Sequence, residues 1–333
     1  VELSHVKSLP VGYMRIEAMY PLTFAEFCRA QGVPAEVMAS LRLKYDEMRP
    51  VDDAVHERMV QLFRLYLVVG GMPEAVQLHI ESKGDLGAVR QAQEDLVRLY
   101  GEDIAKHARD RVLQVKSIYE ALPSQLDKEN KRFQLKSLQG DAKFSRFAND
   151  FAWLVGADAA LKATNVTDPR PMLERSEEEG RFKLYQSDVG MLMSQYHSNV
   201  ALGALSGARS VNCGGVYENA VAQELAAAGV PLHYFHNNRV GEVDFIVETD
   251  AGVVLPIEVK SGKGYKRHVA LNKLLKSEEY GINKACVLSE SNVSVELREG
   301  GVVNYLPLYM VPFVAEGAKG AGLTGVVAPA PAW

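Results

Sequence analysis

The chain has 333 residues, 47% of them hydrophobic and 24% charged, with a formal net charge of −5. That length predicts two or three domains with ample core. The negative balance excludes a protein coated in positive charge, so any nucleic-acid contact has to use local patches. Cys28, Cys213 and Cys286 are odd in number and far apart, without C-x-x-C spacing. This predicts buried, reduced thiols in a cytoplasmic protein. No apolar run reaches transmembrane length and no signal peptide is visible, so no membrane contact is expected.

In chain order, residues 1–109 read as mostly helical. In PLTFAEFCRAQG, Thr23 is placed as an N-cap with Glu26 at the capping-box position. HERMVQLFRLYLVVGG is a second helix, stopped by Gly70-Gly71 with Pro73 beyond. A further helix is predicted over roughly residues 87–108. Residues 110–198 form a compact unit. Two helical stretches, SIYEALPSQLDKEN and KSLQGDAKFSRFANDFAWLVGADAAL, are followed by the strands LKATNV and RFKLYQSD, the order of a winged helix. Residues 199–316 form a mixed α/β unit: the helix GVYENAVAQELAAAG, a hairpin, a helix near HVALNKLLKSEEYG and the strand KACVLSE. Residues 317–333 are rich in Gly, Ala and Pro and read as a flexible tail.

The hairpin GEVDFIVETDAGVVLPIEVKSGK, residues 241–263, carries the densest chemistry. Alternation puts Ile257 and Val259 on one face and Glu258 and Lys260 on the other. Likewise Val243, Phe245 and Val247 share a face, with Asp244 opposite. A three-residue loop at Asp250-Ala251-Gly252 places Asp244 directly across from Glu258. Two carboxylates and an ammonium then converge, which suits a divalent metal, Mg²⁺, and a phosphate ester. This is the D…E-x-K pattern of the restriction-nuclease-like superfamily. In an active site Asp244 and Glu258 hold the metal and Lys260 stabilises the attacking hydroxide or the pentavalent phosphate. The competing reading is the wet face of an ordinary hairpin. In the preceding helix, Glu218 falls one turn before the apolar line Val221, Ala222 and Leu225. It is therefore a further candidate metal ligand, or else a first-turn glutamate favoured by the helix dipole. Glu224 falls on another face and is expected in solvent.

The chain resembles the prokaryotic AAA-type ATP-binding proteins that carry a C-terminal domain of unknown function (family 4143). The matching strings are SLPVGYMRIEAMYPLTFAEF, YLVVGGMPEAV, LPSQLDKENKRFQLKSL, FKLYQSDVGML, YENAVAQEL and IEVKSG. The resemblance implies a helical AAA lid-like region, a winged helix and a nuclease-like domain, within an α+β or α/β multidomain fold. It also implies self-association through the AAA core. The family's nucleotide site lies upstream of these residues. No G-x-x-x-x-G-K-[ST] loop occurs here: Ser261-Gly262-Lys263-Gly264 fails, with Ile257 five residues before Gly262 and Gly264 after Lys263. ATP is therefore expected only with the missing N-terminal core. The chain reads as the C-terminal part of a larger protein, the alternative being a natural truncation.

For DNA, the basic positions of the second unit are Lys143, Arg146, Lys128, Lys131 and Arg132, with acidic residues interleaved. Winged helices serve equally as protein–protein modules. Lys263, Lys266 and Arg267 follow the hairpin and offer a phosphate path, or a solvated loop. His268 is expected at the surface, and Trp153 in the core. Three functions stand: a regulatory AAA fragment whose C-terminal half binds DNA or a protein partner, a metal-dependent nuclease, and a non-catalytic interaction module.

Overall fold

The computed structural model describes residues 18–108, 111–138, 140, 143–208, 212–262 and 264–319. The first part is helical: α1 (Phe24–Ala30), α2 (Ala35–Asp46), α3 (Asp53–Val69), α4 (Pro73–Glu81) and α5 (Leu86–His107). The capping box at α1 forms as the sequence predicts. Thr23 Oγ1 accepts the Glu26 N–H and Glu26 Oε2 accepts the Thr23 N–H, satisfying two donors that a helix start leaves open. Gly70 (φ 73°) ends α3, and Pro73 opens α4 at a position where its missing N–H costs nothing. The Gly-Gly-x-Pro string therefore punctuates two helices, and α2 and α4 have no counterpart in the sequence reading.

Next come α6 (Val112–Leu126), α7 (Phe144–Gly156), β1 (Ala160–Val166), β2 (Glu177–Gln186), α8 (Val189–Ser194), α9 (Ser198–Ser206) and α10 (Gly214–Ala227). The chain continues with β3 (His233–Asn237), β4 (Gly241–Glu248), β5 (Val254–Val259) and α11 (Val269–Lys276). It closes with β6 (Lys284–Ser289), β7 (Ser294–Arg298), β8 (Gly301–Pro307) and α12 (Val311–Lys319). Residues 317–319 of the expected tail thus lie in a helix, and the rest of the tail falls outside the described residues.

The strands form one mixed eight-stranded sheet in the order β2-β1-β3-β4-β5-β6-β8-β7. The ribbon expected in the second unit is hydrogen-bonded into the same sheet as the hairpin. β1 pairs with β2 antiparallel and with β3 parallel, at Thr164↔His233 to Val166↔Phe235. Three apolar cores result. One joins α1, α3, α8, α10 and α12 to one face of the sheet, and a second lies under α11. The third gathers Val115, Ile118, Phe147, Phe151, Phe182 and Leu184 from α6, α7 and β2.

The expected alternation in β4 fails. A register shift between the His233↔Ile246 and Phe235↔Val243 pairs is a β-bulge. Val243 and Ile246 join the core under α11, whereas Phe245 and Val247 pack on the α10 side. Asp244 sits at the switch.

Helix α10 is buried on every side from Gly215 to Ala226, because the sheet covers one face while α3, α8 and α12 cover others. A Cβ on Gly215 would lie 2.4 Å from the Leu126 carbonyl oxygen, so glycine allows the first turn of α10 to rest on the end of α6. Glu224, expected in solvent, is buried. It accepts the Phe24 N–H at 2.6 Å and the Tyr66 hydroxyl at 3.1 Å. His268, expected at the surface, is also buried, with Nε2 2.9 Å from the Tyr305 hydroxyl. Trp153 is partly buried against the third core, as its apolar face predicts.

Candidate functional site

The hairpin closes with the predicted loop. Thr249 N–H donates to Val253 O and Gly252 N–H to Thr249 O, and Gly252 takes a left-handed φ of 69° that suits the third loop position. The register Phe245↔Ile257 to Glu248↔Val254, carried one step on, sets Asp244 opposite Glu258. There the ladder opens. The Val259 N–H donates to Asp244 Oδ2 at 2.8 Å, so a side chain takes over a bond that a backbone carbonyl would make.

Glu258 is buried, and Lys260 Nζ lies 2.5 Å from its Oε1. Glu258 Oε2 has no partner. Burial, then the neighbouring Asp244, pushes the Glu258 carboxyl up to about 8. Burial works against the charged form of Lys260, but Glu258, Asp244 and Glu218 together outweigh it and hold its pKa above the usual value.

Glu218 points to the sheet and is only 3% exposed. Its Oε1 meets Lys131 Nζ at 2.7 Å, and its Oε2 meets the Tyr185 hydroxyl at 3.3 Å and Lys183 Nζ at 3.4 Å. Burial and Asp244 raise its pKa despite both lysines. Lys183 Nζ also lies 2.8 Å from Glu242 Oε1 and 3.6 Å from Asp244 Oδ1. Asp244 therefore stands between the two halves of the cluster. It faces Lys183 and, through Lys183, Glu218 on one side, and is the register partner of Glu258 on the other.

The structure thus brings together Glu218, Asp244, Glu258 and Lys260. It adds Lys131, Lys183, Tyr185 and Glu242, none of which the sequence pattern assigns to the site. Lys131, read among the DNA-facing basic residues, is instead mostly buried against Glu218. Lys183 follows the buried Phe182 and precedes the buried Leu184. The strand as a whole reads EEEGRFKLYQ, so alternation gives Lys183 no local sign of a covered acidic partner.

The remaining predicted positions lie elsewhere. Lys143 and Arg146 are exposed at the start of α7. Lys266 pairs with Glu296 on β7, and Arg267 is exposed. Lys263 lies outside the described residues.

Beside the α10 N-terminus opens a cleft of about 660 Å³, lined in part by Arg64, Asn212, Tyr217, Ser261, Tyr265 and Glu290. Arg64 grips Glu290 with two bonds, at 2.7 and 2.5 Å, and the Tyr217 hydroxyl donates to Glu290 at 2.6 Å. These partners hold the Glu290 carboxyl below its usual range even though burial opposes them.

Of the Glu218, Asp244 and Glu258 carboxylate oxygens, only Glu258 Oε2 is without a partner. Among the described residues, no group of three or more His, Cys, Asp or Glu side chains is set to hold a metal ion. No described helix is long and apolar enough to cross a membrane.

Comparison with known proteins finds two domains. Residues 60–200 match the model of a domain of unknown function (DUF8612), and residues 213–310 match that of a second domain of unknown function (DUF4143). The second match holds α10, the hairpin and the cluster's Glu218, Glu242, Asp244, Glu258 and Lys260. The first holds Lys131, Lys183 and Tyr185, so the site is built across both. No curated protein and no solved structure matches the chain.

Proposed function

We propose that this chain is the DNA-binding, regulatory part of a cytoplasmic AAA-type ATP-binding protein. In this reading α6, α7 and the β1–β2 ribbon act as a winged helix, and the nuclease-like sheet anchors it. ATP would be held by a core upstream of these residues, and self-association would run through that core. The match of residues 213–310 supports the link, since the strings that resemble such proteins include YENAVAQEL and IEVKSG within it.

The observation that carries the DNA reading is α7. One face packs Phe147, Phe151 and Leu154 into the third core, and the buried Asp150 is held by Arg111 at 2.9 and 2.5 Å. The opposite stripe, Ser145, Asn149, Ala152 and Gly156, is exposed and built of small residues, two of them polar. Lys143 and Arg146 stand at its N-terminal end, where a recognition helix meets base edges and phosphates. The expected result is salt-sensitive duplex binding by the wild type, measured by fluorescence anisotropy. Lys143→Ala with Arg146→Ala should weaken it by roughly tenfold or more and reduce the salt slope by about two. An unchanged affinity removes α7 as the reader and leaves a protein partner as the function of this face.

A hydrolytic reading has one observation in its favour: Asp244, Glu258 and Lys260 meet at the opening of the hairpin in D…E-x-K order. Mg²⁺-dependent nicking of plasmid DNA that Lys260→Ala abolishes, with the fold intact, would establish it.

A further inference from the structure

Lys183 is the structural centre of the acidic cluster. Its side chain has no exposed surface. It starts on β2, beside Ala163 of β1, whose small side chain leaves the lane across the sheet open. Its ammonium lies 5.1 Å from the centre of the Tyr234 ring on β3. It ends among Glu242 (2.8 Å), Glu218 (3.4 Å) and Asp244 (3.6 Å). An ammonium buried with a single carboxylate would be a liability. Three carboxylates and an aromatic face offset the lost hydration.

Two of these carboxylates, Glu218 and Asp244, are the ones a D…E-x-K site would turn to a divalent cation. Such a cation needs its oxygens at about 2.0–2.6 Å, drawn in around one point. Here the oxygens are drawn around an ammonium. A dication placed among them would sit against a like charge with no water between, where repulsion is strong. Asp244 Oδ2 is further committed to the Val259 N–H, and Glu218 Oε1 to Lys131. As arranged, these residues do not fit a divalent ion.

We propose that Lys183 is a tethered cation that stands in place of a divalent metal at this cluster. It bolts the β2 ribbon to α10 and β4 without any ion from solution. The bolt spans both matched domains. β2 brings the positive charge from the first, and α10 and β4 bring the negative charges from the second. The cluster is then an internal joint between the domains, and its acidic residues are kept for the lysine rather than for catalysis.

The test is Mn²⁺ titration by calorimetry, with denaturation midpoints in EDTA and in Mn²⁺, on wild type, Asp244→Asn, Lys183→Met and Lys183→Arg. Wild type should give no saturable Mn²⁺ heat and the same midpoint in both buffers. Lys183→Met should lose stability in EDTA, gain a saturable Mn²⁺ isotherm and recover part of its stability in Mn²⁺. Lys183→Arg should stay metal-independent. Saturable Mn²⁺ binding by the wild type that Asp244→Asn abolishes overturns the proposal, and with it revives the hydrolytic reading. So does a Lys183→Met protein as stable as wild type in EDTA with no Mn²⁺ isotherm. If Lys183→Met does not fold, the wild-type and Asp244→Asn titrations decide: Asp244-dependent binding overturns the proposal and its absence upholds it.

Discussion

Asp188→Ala is expected to destabilise the protein by about 3–5 kcal/mol, read from the midpoint of urea or thermal unfolding. Asp188 has no exposed surface. Its Oδ2 accepts the Gly71 N–H at 2.6 Å and its Oδ1 accepts the Met191 N–H at 2.9 Å, which also makes it the N-cap of α8. Gln223 of α10 reaches the same carboxylate at 3.5 Å. The space is closed by glycines: a Cβ on Gly70 would lie 2.3 Å from Asp188 Oδ1, and one on Gly190 would lie 2.6 Å from the Val69 carbonyl oxygen. Alanine would leave two buried backbone donors unmatched, the Gly71 N–H and the Met191 N–H that the α8 cap satisfies, each costing about 1–3 kcal/mol. A loss below about 1 kcal/mol would mean that water reaches this joint and replaces the carboxylate.

Stability should fall as pH rises from about 4.5 to about 7, and Glu224→Gln should flatten that fall. Burial pushes the Glu224 carboxyl from 4.5 to about 7, against the pull of the Phe24 N–H and the Tyr66 hydroxyl. Between those values the folded protein keeps a proton that the unfolded chain has lost, so each step up in pH favours unfolding. Above about 7 both states are ionised and the penalty is constant; below about 4.5 both are protonated and it is absent. The full penalty is of order 3 kcal/mol. Glu258, pushed up to about 8, has the same sign and extends the decline by about one pH unit. A neutral glutamine still offers an oxygen to the Phe24 N–H. Glu224→Gln should therefore be more stable than wild type by about 1–3 kcal/mol above pH 7, with little difference near pH 4.5. A less stable variant at pH 8 with an unchanged slope would show that the two hydrogen bonds outweigh burial.

What the sequence made legible is what local geometry controls. The Asp244–Glu258 pairing follows from a three-residue loop and a strand period of two, and both are set within fifteen residues. The Thr23–Glu26 box is likewise local. Glu224 and Lys183 were illegible for a common reason, since both depend on what covers an element's second face. Periodicity assigns Glu224 to solvent because α10 carries an apolar line on one side. The other side is also covered, by α3 and α12, and the run of Ala, Val and Gly around α10 is the trace of that double burial. Alternation in FKLYQ likewise sends Lys183 to a wet face. That face is roofed by α10, from far along the chain. The β4 bulge answers a register shift with β3, and β3 is a five-residue strand, HYFHN, with no alternation to mark it in the sequence. β8 enters beside β6 in parallel, so its place in the sheet depends on a tertiary crossover, whereas its pairing with β7 is local, through a tight turn at Glu299-Gly300.

The continuous sheet has a practical bearing on how the chain can be cut. The two matched domains end and begin at residues 200 and 213, which invites separate expression of each half. The sheet does not stop there: β1 lends its edge to β3. A break between the halves would strip β1 of its parallel neighbour and leave β3 with a bare row of amides and carbonyls. Open edges of that kind recruit strands from other molecules. The boundary in sequence families is therefore a poor place for a boundary in a recombinant fragment, and because α1 and α3 also cover α10 and α8, soluble pieces should keep residues 18–319 together.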